Sequence, residues 1–240
     1  MTDVMRERLL EAAWSLLSEA KGDIAAVKMQ AVVDRARVTS GAFYSNWDDL
    51  NAFQSDLLRY GFSQARAVHS DKIRSSIISD LIGPHGPAEP LDQLIMRYAR
   101  EDREALEKDP SFGLWVALWA RRSTLSGASE VIKDGYAEID GRWADLYTHI
   151  LRAYGLKVRN PFTERDLSVM LTAILEGLVL RGAVDAEVVE LSHVGSAGQW
   201  ELFGTMVAAL LPVITASASD AEDATVWEVA RQGLTAYTQS

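Results

Sequence analysis

Leu9, Ala13, Leu16, Leu17 and Ala20 recur at intervals of three and four residues, and the same rhythm returns in segment after segment along the chain. That spacing puts apolar side chains on one stripe of an α-helix, and it constrains the fold more than any other feature of the sequence. A first helix ends near "KGD". A shorter one, "KMQAVVDRA", has Met29, Val32, Val33 and Ala36 on one side. Thr39 or Ser40 caps a third short helix through Asn46. Asp48 or Asp49 starts a long fourth helix reaching Ile82, with Leu50, Phe53, Leu57, Tyr60 and Phe62 among its apolar positions. After the Gly- and Pro-rich loop "GPHGPAEP", helices are expected at 90–107, 110–125, 129–154, 163–182, 198–216 and 222–238. Breakers such as "KDP", "SGAS", "YGLKVRNPFT" and "SHVGSAG" separate most of them. No alternating β-branched run bounded by turns occurs, so the chain reads as all-α, with a small head and a larger body.

Charge narrows what the head can do. The 240 residues carry a formal net charge of -10. Up to Asn46, however, Arg6, Arg8, Lys21, Lys28, Arg35 and Arg37 balance Asp3, Glu7, Glu11, Glu19, Asp23 and Asp34, so the acidic excess lies beyond residue 46. A neutral head on an acidic body is repelled from a polyanion everywhere except at the head. With no cysteine, disulfides, thiolate metal sites and cysteine nucleophiles are excluded together. "MTDVMRERLLEAA" lacks the apolar core of a signal peptide, and "MVAALLPVITA" is too short for a membrane span and contains Pro212. The expectation is a cytoplasmic protein.

Two short helices joined by a tight turn and propped by a longer one form a helix-turn-helix unit, whose second short helix enters the DNA major groove. That helix needs a small or polar front for close approach to base edges and an apolar back to pin it. Thr39, Ser40, Gly41 and Ala42 supply the front, Val38 and Phe43 the anchor, and Tyr44 can send its hydroxyl to a phosphate.

The stretch "LLEAAWSLLSEAKG...VKMQAVVDRARVTSGAFYSNWDDLNAFQSDLL" resembles the DNA-binding head of TetR-type transcriptional repressors. The "AA" pair, the apolar "VV", "G-x-F-Y" with an aromatic after two residues, and the apolar start of the fourth helix carry the likeness. "LTAILEGLVLRG" and "LFGTMVAALLP" resemble more loosely the helices that pair protomers in that family. The resemblance implies a DNA-binding domain over residues 1–47 and a ligand-binding, dimerisation domain over 48–240. It also implies a homodimer on a near-palindromic operator, released by a small, partly apolar effector, with no cofactor and no membrane partner. Gln30 then falls where it can reach bases with Thr39 and Ser40, while Tyr44, Ser45 and Asn46 suit backbone positioning. Three positions depart from the family pattern. Lys28 stands where a capping threonine is usual, Arg37 where the turn usually has glycine, and Leu50 where a phosphate-binding lysine is usual. Lys28 and Arg37 can supply the phosphate charge that Leu50 lacks.

In the body, Phe112, Trp115, Trp119 and Arg122 share one helical face, and Tyr136, Asp140, Trp143, Tyr147, Ile150 and Tyr154 share another. Such stripes are core more often than ligand walls, but the family resemblance implies a cavity, which places Phe112, Trp115, Trp119, Arg122, Asp140, Trp143 and Tyr147 as candidates around an effector. Arg122 and Asp140 could pair with each other or face solvent. Leu167, Leu171, Ile174, Leu178, Val207, Leu210 and Leu211, with Gly177, Gly182 and Gly204, suit either protomer pairing or the intramolecular core. Enzyme readings find no support. His69, His85, His149 and His193 show no one-turn pairing for a metal, "GPHGP" lacks the backbone donors of a phosphate loop, and "SGAS" and "GSAG" lack the elbow of a serine hydrolase. Two rivals stay open: a helical protein of this architecture that has lost DNA affinity and works through protein partners, and a transcriptional activator.

Overall fold

The structure, a computed structural model, describes residues 2–20, 23–81, 87, 89–120, 122–123, 127–189, 192–195, 198–218 and 225–230. The N-terminal helices are α1 (Thr2–Glu19), α2 (Met29–Ala36), α3 (Ser40–Tyr44) and α4 (Leu50–Leu81), with a 3₁₀ turn at Ile24–Ala26. Then follow α5 (Leu91–Lys108), α6 (Pro110–Ala120), α7 (Ala128–Ala153), α8 (Glu164–Gly182), α9 (Ala186–Val189) and α10 (Leu202–Ile214). Four short strands, β1 (Leu156–Val158), β2 (Ser192–Gly195), β3 (Gly198–Glu201) and β4 (Thr215–Ser217), form two antiparallel pairs. The all-α reading stands, with corrections at the strands. The segment expected as one helix over 198–216 begins as β3 and ends as β4, and "SHVGSAG" holds β2 rather than a plain breaker. Strands of three or four residues carry too little two-residue alternation to stand out beside an apolar helix. The loop after α4 and the helix expected at 222–238 fall largely outside the described residues; 226–230 are helical.

The chain divides into two compact units, residues 1–70 with 108–137, and 71–107 with 138–240. In the first, α1 places Leu9, Ala13 and Leu17 in the core, where they join Val32, Val33 and Ala36 of α2, Phe43 of α3, and Phe53 and Leu57 of α4. Each such burial contributes about 1.5–3 kcal/mol for the larger side chains. Gly61 gives α4 its closest approach, since a Cβ there would overlap the ring of Trp14. Asp49 starts α4 as the sequence suggests, its Oδ1 accepting from the Ala52 N–H at 2.8 Å. Pro110 opens α6, where the missing N–H costs nothing, and Asp109 accepts from the Ser111 N–H at 2.8 Å.

In the second unit the core lies among α5, α7, α8 and α10, with Leu94, Ile95, Leu146, Leu151, Leu167, Leu171 and Phe203 buried. Thr163 and Asp166 form a reciprocal capping box that starts α8. The pair β1–β4 joins Leu156 to Ser217 and Val158 to Thr215, tying the end of α7 to the end of α10. The hydroxyl of fully buried Tyr154 donates to the Glu89 carbonyl at 2.8 Å.

Candidate nucleic-acid interface and ligand cavity

The turn between α2 and α3 settles how Arg37 is tolerated. Arg37 adopts φ 54 and ψ 50, the left-handed conformation that the usual glycine takes without strain. A non-glycine residue pays about 1–2 kcal/mol there. The Val38 N–H reaches the Val33 carbonyl at 3.0 Å, the six-to-one bond that accompanies a left-handed helix end. The chain thus leaves α2 abruptly enough for α3 to begin three residues later.

On α3 the expected division of faces is present. Thr39, Ser40 and Gly41 are exposed, Ala42 and Val38 are half-buried, and Phe43 is buried. Thr39 occupies the cap position without a side-chain cap bond, so its hydroxyl is not committed to the helix end. Tyr44 is 59% exposed, its ring edge-on to Phe43. Ser45 Oγ and Asn46 Nδ2 both donate to the Ala42 carbonyl, at 2.9 and 2.7 Å, and so close the end of α3. Gln30 is exposed on α2, with its Nε2 donating to Asp34 Oδ1 at 2.8 Å; reading a base edge requires that contact to open.

Two of the head's cations are committed to its architecture. Arg35 grips Glu19 with both terminal nitrogens, and this hydrogen bonding holds the Glu19 carboxyl below its ordinary range. Arg6 also grips Asp56 with two donors, Nε at 2.8 Å and Nη2 at 2.6 Å. Lys28 and Arg37, by contrast, are exposed and have no ion-pair partner among the described residues. Leu50, at the first position of α4, is 47% exposed and borders a hollow that Lys28, Tyr44 and Phe43 also line.

One feature of the head escaped the sequence reading. Trp47 is buried and donates its indole N–H to Asp56 Oδ2 at 2.7 Å, so a single carboxylate ties α1, the segment after α3, and α4. Partners nine and fifty residues from Asp56 leave no periodic signal.

The second unit contains an apolar cavity of about 90 Å³, walled by residues of α4, α5, α7, α8 and α10. Of the seven candidate ligand residues, Trp143 and Tyr147 line it, stacked with centroids 5.7 Å apart. The other five lie elsewhere. Phe112 is buried in the first unit. Trp115 and Trp119 both donate to the Tyr136 hydroxyl, at 3.2 and 3.3 Å. Arg122 lies over the Trp119 ring, 4.9 Å from its centroid. Asp140 is buried, 4.0 Å from Arg165, and burial pushes its carboxyl upward. Ile95, Tyr98 and Asp102 of α5 also line the cavity, and nothing in the sequence marks them, because α5 looks like any amphipathic helix. Leu167, Leu171, Val207 and Leu211 face the cavity, whereas Val169, Leu180 and Val213 are exposed on α8 and α10. Gly182 faces Val189 and Gly204 faces Trp200 and Ala99, so both serve internal packing; Gly177 faces open space. No group of metal-ligating side chains occurs among the described residues, and no helix among them is long and apolar enough to cross a membrane.

No family model matches the sequence, and no curated protein matches it. Solved structures do. NemR of Escherichia coli in its reduced form is 17% identical, with a TM-score of 0.57 over 90% of this chain and 100% of that one. A protein from Mesorhizobium loti assigned to the TetR family of transcriptional regulators is 10% identical, with a TM-score of 0.55 over 100% and 97%. The multidrug binding protein EbrR, complexed with imidazole, is 15% identical, with a TM-score of 0.51 over 86% and 94%. At these identities the likeness shows the fold, which is that of the TetR-type regulators.

Proposed function

We propose that this chain is a ligand-responsive transcriptional regulator, a repressor in its simplest form, that binds a near-palindromic operator as a homodimer. Residues 1–47 make the DNA-binding part and 48–240 the ligand-binding and dimerisation part. The observation that carries the reading is the α2–α3 surface. A short helix with an exposed small front is flanked by two cations, Lys28 and Arg37, that have no ion-pair partner among the described residues, in a chain whose acidic excess lies elsewhere. Thr39, Ser40, Gly41 and Gln30 face base edges, Lys28, Arg37 and Tyr44 hold phosphates, and Ser45 and Asn46 keep the end of α3 closed against the backbone. The TetR-type fold supports the same role. One five-residue helix reads few base pairs, so a second copy about one DNA turn away is needed for useful specificity. The exposed Val169, Leu180 and Val213 offer apolar surface for that pairing. A small, partly apolar effector in the α5–α7–α8 cavity shifts the protein toward a state that no longer matches the operator. The shift is bounded by the effector's differential affinity for the two states.

Exposed Leu50 favours a second reading, a regulator of this architecture with weak or lost DNA affinity that acts through protein partners. Selection of binding sites from random DNA by the purified chain separates the two. An enriched palindrome with salt-dependent affinity supports the first; no enrichment, or affinity indifferent to salt, removes it. Leu50→Lys adds a phosphate contact and steepens the salt dependence by about 0.9 in log–log slope if the hollow beside Lys28 faces DNA.

A further inference from the structure

We propose that the ligand of the 90 Å³ cavity is an uncharged, single-ring molecule carrying one hydrogen-bond acceptor, and that the Tyr147 hydroxyl receives that acceptor. This rests on the reading of the cavity as the effector site.

Size sets the first limit. The volume is about three-fifths of the roughly 150 Å³ void that takes up benzene in a packed apolar interior, so no more than one ring enters, and the walls give way to admit it. Shape sets the second, because the stacked rings of Trp143 and Tyr147 present a flat side.

The polar groups decide the rest. Tyr98 also lines the cavity, but its hydroxyl donates to Asp80 Oδ2 at 2.7 Å and lies 3.2 Å from Ser76 Oγ, so it is already committed. Asp102 is the charged residue of the lining, and it is not a free carboxylate. No lysine, arginine or histidine among the described residues lines the cavity, so an anion has no cation to meet there. An ammonium ligand would need a free carboxylate, which Asp102 does not offer. The Tyr147 hydroxyl has no hydrogen-bond partner among the described residues, and neither has the Trp143 indole N–H. Burial, followed by the charge of Asp102, pushes the Tyr147 hydroxyl upward, so it stays protonated. Both groups are therefore donors without an acceptor among the described residues, and Tyr147 is half-buried, so an acceptor that reaches either of them from the cavity gains a hydrogen bond without displacing a protein partner. A ring bearing a carbonyl or ether oxygen meets every condition.

The test uses the full chain without DNA, titrated calorimetrically with four probes: acetophenone, ethylbenzene, benzoate and benzylammonium. Acetophenone is expected to bind roughly fivefold to tenfold tighter than ethylbenzene, the worth of one net hydrogen bond. Tyr147→Phe weakens acetophenone alone and narrows the preference to what the Trp143 indole N–H still supplies, and its unchanged ethylbenzene binding reports an intact cavity. Parity in the unsubstituted chain overturns the proposal, as does tightest binding of benzoate or benzylammonium, or equal weakening of both neutral probes by Tyr147→Phe. Adding operator DNA separates this from the wider reading. If acetophenone binds through Tyr147 and leaves DNA affinity unchanged, the ligand class stands and the effector role fails. If a charged probe releases DNA while acetophenone does not bind, the effector role stands and the ligand class fails.

Discussion

Two groups of aromatic rings in this chain are built on opposite terms. In the head, Phe43, Trp47 and Phe53 stand with centroids 4.8 to 5.2 Å apart, and the indole N–H of Trp47 ends on Asp56, which Arg6 also holds. In the second unit, Trp143 and Tyr147 stack, yet neither donor has a partner among the described residues and a void remains beside them. Protein interiors ordinarily close such gaps and satisfy such donors. The head uses its polar atoms to hold one shape, which suits a surface that must match a fixed groove. The cavity leaves its donors unengaged, which suits a surface completed by something that comes and goes.

The largest effect expected from this contrast follows deletion of a ring from the closed cluster. Phe53→Ala should cost about 3–5 kcal/mol in urea unfolding, because the fully buried ring has neighbours on every side that cannot collapse into its place. A loss below about 1 kcal/mol would mean the cluster is not closed. Adding volume provides the sharper comparison. Val32→Phe, at a fully buried site of α2, should cost about 1–3 kcal/mol by overpacking. Leu171→Phe grows into the void instead and should cost less than about 1 kcal/mol while excluding any ring-sized ligand. Equal costs at the two sites would erase the distinction between a packed and a receptive interior.

How far the sequence reveals these two regions differs for physical reasons. The head is assembled from neighbours in sequence, so α1 to α3, the Asp49 cap and the sterically demanding turn at Arg37 can be read from spacing and side-chain chemistry. Its Arg6–Asp56–Trp47 tether cannot, because nothing in the pattern connects residues so far apart. The cavity takes one side from a single legible stripe, Trp143 and Tyr147 at four-residue spacing, and the rest from helices remote in sequence. The stripe of Phe112, Trp115 and Trp119 has equally good spacing and serves a different cluster around Tyr136. Periodicity shows that a face is buried, not what it is buried against. The β1–β4 pair was hidden for a related reason, since its two strands are joined only by register between distant segments.

The head's closure has one strained point, and Arg37 tests what the strain accompanies. Arg37→Gly relieves a left-handed conformation worth about 1–2 kcal/mol. It returns roughly 0.5–1 kcal/mol of that through the greater freedom of glycine in the unfolded chain. Stability should therefore rise by about 1 kcal/mol or less in thermal unfolding. DNA affinity should fall, with the log–log salt slope shallower by about 0.9, if Arg37 meets a phosphate as proposed. Stability and affinity moving together would detach the turn from the interface.

The smallest effect compares two tyrosines of the same cavity wall. Tyr98 differs from Tyr147 because Asp80 accepts its hydroxyl, and Asp80 also accepts from Arg97 Nη2 at 2.6 Å. Hydrogen bonds from Arg97 first, and from Tyr98 second, hold the Asp80 carboxyl below its ordinary range. A carboxyl lowered in the folded state contributes stability that is fully present above the unfolded pKa, about 3.9, and lost as pH falls through the folded value. Asp80→Asn should therefore flatten the acid limb of the stability curve below about pH 4. The difference should stay under about 1 kcal/mol, since both Asp80 and Arg97 are more than a third exposed and solvent screens the pair. An unchanged acid limb would mean that Asp80 does not restrain Tyr98. Tyr98 would then compete with Tyr147 for a ligand's acceptor, and Tyr147→Phe would narrow the preference for acetophenone over ethylbenzene by less.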